Sequence, residues 1–227
     1  MSSGIDSSYL TASARPDKTF TVGYSDEHYD EIRYAKVLAD KLGIAYYDKD
    51  IPRLASDESG IHPQLFGRVD EYSSAKPPLF GAKTGTYSKE VLPPDSKHFT
   101  SDENLFNFQA KTIRELAETE SCVIIGRCGN FILNEREFPN VLRVFIHASW
   151  EFRIKDAKER MSGTEKELEK FMRKDDKRKL EYCRRFTGKE WTDPAYYDLY
   201  LDTSKIGKDG AMAEIERRYE ALKRRNG

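Results

Sequence analysis

Cysteine is scarce in this chain. Only Cys122, Cys128 and Cys183 occur, an odd number without a C-x-x-C pair, which argues against a disulfide framework and a cysteine-based zinc site. Cys122 falls in an apolar run and Cys183 in a helical pattern, so a reducing, cytoplasmic setting is expected. Histidine is nearly as sparse: His28, His62, His98 and His147 are scattered, with no pair at helical ligand spacing. No apolar run approaches the ~18 residues of a spanning helix and no signal-peptide core is present, so a soluble chain without a membrane partner is expected. An excess of one charge is also missing. The 38 basic and 39 acidic residues nearly cancel, and bulk electrostatics points to neither nucleic acid nor a lipid surface. The apolar fraction of 38% is low beside 34% charged residues, yet 227 residues suffice for a sizeable core in one domain, with or without an extension.

What is present is organised around Ser121-Cys122-Val123-Ile124-Ile125-Gly126-Arg127. Four apolar residues, three of them β-branched, read as a buried strand that Gly126 ends. In an open parallel sheet the carboxyl ends of strands face the ligand crevice. Arg127 at such an end offers a planar fork of donors to a phosphate or carboxylate, or pairs structurally with a neighbouring acid; strand context leaves both open.

Taken from the start, residues 1–8 form a Gly/Ser loop leading into a helix at 9–14. Such a loop can present amides and hydroxyls to phosphates, or be a plain unstructured terminus. A strand at 20–23 follows, then a helix over 30–42 with Ile32, Ala35, Leu38, Ala39 and Leu42 on one face, closed by Gly43, then a strand at 44–47. Residues 57–100, with Pro77-Pro78 and Pro93-Pro94, read as a long excursion with short helices over the acceptor side of a cleft. Thr100-x-x-Glu103 is a capping box for a helix burying Leu105, Phe108, Thr112, Ile113 and Leu116. A second buried strand covers 141–147. Ser149 caps a helix with Trp150, Ile154, Ala157 and Met161 at core spacing, and Thr164-x-x-Glu167 caps another that buries Leu168, Phe171 and Met172. That helix then carries seven basic against three acidic residues between Arg173 and Arg185. A solvated face would account for them, but the local excess in a neutral chain favours a mobile lid that closes on phosphates. Alternation at 197–202 gives a last strand, and 209–224 a last helix with Ala211, Ile215, Tyr219 and Leu222 inward. Strand and helix alternate throughout, which predicts an α/β fold: a parallel sheet covered by helices on both faces.

Two resemblances follow from particular stretches. Ser3-Gly4-Ile5-Asp6-Ser7-Ser8, Lys18-Thr19-Phe20-Thr21-Val22-Gly23 and Tyr29-Asp30-Glu31-Ile32-Arg33-Tyr34-Ala35 resemble, in order, the synthetase domain of glutamine-dependent asparagine synthetases. That resemblance implies ATP binding through Gly4, Asp6, Ser7 and Ser8, over residues 1–44 only. From residue 45 to 227, the 121–127 strand, the 141–147 strand with Glu151-Phe152-Arg153-Ile154, the basic run 173–178, Thr187-Gly188-Lys189-Glu190-Trp191 and residues 197–207 resemble the cytidylate-kinase-like P-loop phosphotransferases. This implies a three-layer, nucleoside-monophosphate-kinase-like fold, one compact domain overall, and phosphoryl transfer from ATP to a small nucleotide acceptor such as CMP. It further implies that Arg127 holds the acceptor phosphate and that Asp48 stands at the mouth of the acceptor site. Asp176 and Lys177 would belong to substrate binding, and Arg178, Arg185 and Lys189 would neutralise the transferring phosphoryl. Asp193 and Asp202 would orient those cations or be turn residues, with a turn favoured for Asp193. Mg²⁺ is implied by the charge of ATP, with no dedicated ligand pair in view.

One feature departs from that family. Its glycine-rich phosphate loop should stand near Glu27-His28-Tyr29-Asp30-Glu31-Ile32, which has neither glycine nor lysine and whose acids would repel a triphosphate. No G-x-x-x-x-G-K-[ST] occurs elsewhere. The two resemblances meet at 38–44. The leading expectation is therefore a cytidylate-kinase-like phosphotransferase with an impaired donor site. A non-catalytic nucleotide-binding module and an ATP-binding fragment of asparagine-synthetase type are the alternatives. Oligomeric state is not fixed.

Overall fold

Strand β5, Val141–His147, runs through the middle of the molecule with six of its seven residues buried. Its alternate side chains serve two cores, as a pleated strand covered on both faces requires. Leu142, Val144 and Ile146 pack with Ala211, Ile215 and Tyr219 of the C-terminal helix. Val141 and Phe145 join the larger core on the opposite face. The structure is a computed structural model that describes residues 10–13, 19–21, 37, 40, 46–48, 51–69, 84–119, 121–134 and 136–226. Gly4, Asp6, Ser7, Ser8 and the 27–32 segment lie outside these residues, as does most of the helix expected over 30–42.

The strands are β1 (Leu10–Ser13), β2 (Thr19–Thr21), β3 (Tyr46–Asp48), β4 (Val123–Ile124), β5 and β6 (Leu199–Asp202). The helices are α1 (Ile51–Ser59), α2 (Pro63–Phe66), α3 (Asp102–Thr119), α4 (Gly129–Ile132), α5 (Trp150–Arg160), α6 (Glu165–Thr187) and α7 (Thr203–Asn226). One sheet has the order β4-β1-β5-β6 and a second pairs β2 with β3. β5 and β6 are parallel, with Val144 opposite Leu199 and His147 opposite Asp202, and β2 and β3 are parallel.

The expectation of an all-parallel sheet fails at β1. The stretch at 9–14, expected to be helical, supplies a strand antiparallel to both β4 and β5. So short a segment cannot sustain a helix alone, whereas between two strands its backbone donors and acceptors are paired on both sides. β4 is also shorter than the apolar run suggested. Gly126, Arg127 and Cys128 take φ of 70°, 53° and 58°, so the chain leaves the extended conformation before Arg127 and turns into α4.

α3 buries Leu105, Phe108, Thr112, Ile113 and Leu116, as its periodicity predicts. Its cap falls one residue later than expected: the Asn104 amide donates to Ser101 Oγ at 3.3 Å. Two buried asparagines on α3 hold the preceding loop. Asn104 accepts from the Leu92 amide and donates to the Phe99 carbonyl, both at 2.7 Å, and Asn107 donates to the Glu90 carbonyl at 2.8 Å.

α6 opens with the reciprocal Thr164–Glu167 capping box and closes at Gly188 in the left-handed region. Its inner stripe is Leu168, Met172, Asp175, Lys179, Tyr182, Cys183 and Phe186. Phe171, expected in the core, is instead 37% exposed, because it lies about 100° round the helix from Met172. α7 is broken at Gly207, φ 69°. No helix among the described residues is long and apolar enough to cross a membrane.

Candidate functional site

β5 and β6 end side by side at His147 and Asp202, and the chain leaves β5 through a cap. Ser149 Oγ accepts from the Phe152 amide at 3.2 Å, which starts α5 and sets Arg153 in its first turns. α6 returns beside α5 and brings Asp176 to meet it. The guanidinium of Arg153 grips the Asp176 carboxylate with two bonds, 2.9 and 2.7 Å. Below this clamp lies a cavity of about 350 Å³, lined among others by His147, Arg153, Asp176, Lys177, Glu190 and Trp191. This is the carboxyl edge of the strands, where open α/β sheets hold ligands.

The charges around the cavity are arranged unevenly. Burial pushes the His147 imidazole below its ordinary value, partly countered by the Asp202 carboxylate, so the ring is neutral at pH 7. Glu190 is held low by its bonds from Arg184, at 2.6 and 2.9 Å. Asp202 is held low by Ser204 and Lys205, as the residue that opens α7. Lys177 is the loosest cation of the group: its side chain is 74% exposed and lies 3.7 Å from Glu181. Arg153 and Arg173 both stand over the Trp150 ring, at 5.4 and 4.2 Å. The arrangement can accept an anion at Lys177 and hold a flat group against Trp191 and Tyr200, with a neutral imidazole at the strand end.

The other residues expected in a site go to different places. Arg127 is 2% exposed and its Nη1 reaches Gln109 Oε1 of α3 at 3.5 Å, the limit of a hydrogen bond. Consecutive non-glycine residues at positive φ, Arg127 and Cys128, mark a backbone held away from its easy conformations, a feature that clusters at functional turns. Arg178 pairs with the buried Asp175. Arg185 donates to Asp102 at 2.6 Å and lies 4.9 Å over the Phe186 ring. Lys189 lines a separate cavity. Arg178, Arg185 and Lys189, grouped by sequence, thus have three different sets of neighbours. Asp48 closes β3 opposite Thr21, its side chain lying outside the described residues. Asp193 is a turn residue, capping a short 3₁₀ turn through the Ala195 amide at 2.9 Å. Among the described residues no group of three His, Cys, Asp or Glu gathers to hold a metal.

Sequence reasoning placed Asp176 and Lys177 in a site but missed Arg153 and His147. Arg153 precedes its partner by 23 positions and a helical turn-around, and nothing in local spacing joins them. His147 ends an apolar strand and reads as core.

A crystal structure of an uncharacterized protein from Eubacterium ventriosum ATCC 27560 shares the fold, with a TM-score of 0.57 and 21% identity over 91% of this chain and 98% of that one. No curated protein matches the sequence. The asparagine-synthetase resemblance of residues 1–44 finds no support, and the family match below begins at residue 33, ahead of the join placed at 38–44. The sequence pattern of the Cytidylate kinase-like family matches residues 33–205, which takes in β3 through β6 and the whole of α5 and α6. This chain belongs to the cytidylate kinase-like family.

Proposed function

We propose that the protein is a nucleotide phosphotransferase of nucleoside-monophosphate-kinase type, moving a phosphoryl group from ATP, with Mg²⁺, to CMP or a similar small acceptor, with a donor site impaired by the replaced glycine-rich loop. The observation that carries this reading is the cavity at the carboxyl edge of β5 and β6, closed by the Arg153–Asp176 clamp and open to Lys177, in a chain of this family. Phosphoryl transfer is mainly positioning and charge stabilisation. Lys177 supplies a cation free to turn toward a phosphate, and Arg127 supplies a planar fork at the end of β4. Arg178 and Arg185 would reach the transferring group by exchanging Asp175 and Asp102 for it. Asp48 would border the acceptor.

A second reading, binding without turnover, is favoured by one feature of the sequence: the missing G-x-x-x-x-G-K-[ST]. The two readings separate in one experiment. The chain is titrated calorimetrically with CMP and with MgATP separately, and the mixture is assayed for ADP and CDP. CMP binding weakened in Arg127→Ala and Lys177→Ala, together with product formation, supports transfer. CMP binding of the same kind without product supports the binding module. If CMP does not bind, both readings fall.

A further inference from the structure

Lys189 and Glu190 are neighbours that face different cavities. Glu190 lines the one at the carboxyl edge of the strands. Lys189 lines another, about 380 Å³, at the opposite edge, where Arg143 near the start of β5 and Asp198 just before β6 form its wall.

Most polar groups of this second cavity are already engaged. Arg143 donates to the carbonyls of Leu133, Val141 and Phe138 and to Asp198. Asn134 and Lys89 both bind Glu137, and Thr187 donates to the Cys183 carbonyl. Besides the buried Tyr87 hydroxyl, two groups are left over. Asn130, in the short helix α4, is 3% exposed, yet neither its Oδ1 nor its Nδ2 has a hydrogen-bond partner. Asn104 and Asn107, equally buried on α3, are bonded through both amide atoms, so Asn130 is the exception among the described buried asparagines. The ammonium of Lys189 has no carboxylate partner among the described residues and stands 5.5 Å over the Tyr196 ring. Tyr196 in turn packs edge-on against Phe131, 4.9 Å between centroids.

Each leftover group specifies part of a ligand. A buried amide needs a partner with an acceptor beside a donor, which is the edge of a lactam or carboxamide. An unpaired ammonium calls for an anion, and the Phe131 and Tyr196 rings suit a flat ring. We propose that the cavity bounded by Asn130, Lys189, Phe131 and Tyr196 is a second binding site, separate from the one between α5 and α6. Its ligand class is a small planar heterocycle that carries a lactam or carboxamide edge and a carboxylate or phosphate.

Orotate is a suitable probe, with uracil lacking its carboxylate and benzoate lacking its lactam. Calorimetric titration of the full chain should show orotate binding, and each truncated probe binding about tenfold or more weakly, the usual worth of one such contact. Asn130→Leu keeps the bulk and removes the amide; it should weaken orotate about tenfold and leave the CMP titration unchanged. Lys189→Met, on an exposed loop, provides the second variant should Asn130→Leu fail to fold, and it should weaken orotate but not uracil. The proposal is overturned if orotate gives no binding heat at millimolar concentration. It is equally overturned if both variants bind orotate as tightly as the unsubstituted chain, or if CMP competes with orotate.

Discussion

The Arg153–Asp176 clamp joins α5 to α6 over the cavity, and its strength can be worked out from its surroundings. The Arg153 side chain is 13% exposed and that of Asp176 is 32% exposed. Fully exposed pairs contribute roughly 0–1 kcal/mol, whereas breaking a fully buried one costs about 3–5 kcal/mol. Two aligned charge-assisted bonds place this pair above the exposed range, and the water left around Asp176 keeps it below the buried one. A coupling energy of about 1–2 kcal/mol is expected. A double-mutant cycle isolates it: Arg153→Met, Asp176→Asn and the double variant, each unfolded in urea, with slopes compared to confirm an unchanged transition. Arg153→Met alone should cost more than the coupling, because it also surrenders the Trp150 ring, worth roughly 0.5–1 kcal/mol in a partly exposed setting. At 2–4 °C per kcal/mol for a chain of this size, the coupling corresponds to a melting shift of roughly 2–8 °C. A coupling below about 0.3 kcal/mol would show the pair to be solvated, and the clamp would then not hold the roof of the site.

Lys179 and Asp175 form a pair almost wholly shielded from water, with side chains 1% and 2% exposed, so Lys179→Met should destabilise by about 2–4 kcal/mol in urea unfolding, tempered by the Arg178 bond that Asp175 keeps. His147 is held below its ordinary value of 6.5 chiefly by burial; the unfolded chain therefore binds the extra proton first, and stability should be full above about pH 6.5 and decline as pH falls toward the folded value. Melting curves of His147→Gln should lack that decline, and an identical acid slope would exclude His147 as its source. Phe106, 1% exposed and stacked on Phe186 at 4.3 Å, should cost about 3–5 kcal/mol on truncation to Ala, measured as a drop in urea midpoint; a loss under 1 kcal/mol would mean the stack collapses onto other side chains.

Legibility in the sequence followed how local each signal was. The bounds of β5 are readable from Val-Leu-Arg-Val-Phe-Ile-His itself, because apolar, β-branched residues bounded by Asn140 and Ser149 leave little else to form. The α5 and α6 starts are readable from Ser149 and Thr164-x-x-Glu167, since a cap acts within four residues. Leu10–Ser13 was not readable, as its strand state depends on partners more than 100 positions away. Phe171 misled because the 3.6 period admits either it or Asp175 beside Met172, and the charged residue is the one turned inward. In the site, the basic excess of α6 was visible but its destinations were not. Asp176, Lys177, Arg178 and Arg185 differ in partner because other elements, α5 and α3, decide which cation meets an acid. Asn130 carries no signal at all in Gly-Asn-Phe-Ile, where an asparagine after glycine reads as a turn.

Those destinations also divide α6 in two and limit how it can serve as a lid. Its last turns are tied down: Arg185 binds Asp102, Phe186 stacks on Phe106, and the carbonyls of Arg185 and Phe186 accept from Gly85 and Tyr87 at 3.0 and 2.8 Å. Its first turns share a small core of their own with α5, made by Ile154, Ala157, Leu168 and Met172 and separate from the two main cores. A closing movement over the cavity therefore cannot swing the whole helix. The two bodies meet near Asp175–Lys179, where the helix passes from one core to the other, and α5 is tied in turn to α7 by the Asp156–Lys208 pair at 2.6 Å. The Arg153–Asp176 clamp lies within a turn of that passage, so the pair that borders the cavity also joins α5 to α6 where the helix changes cores.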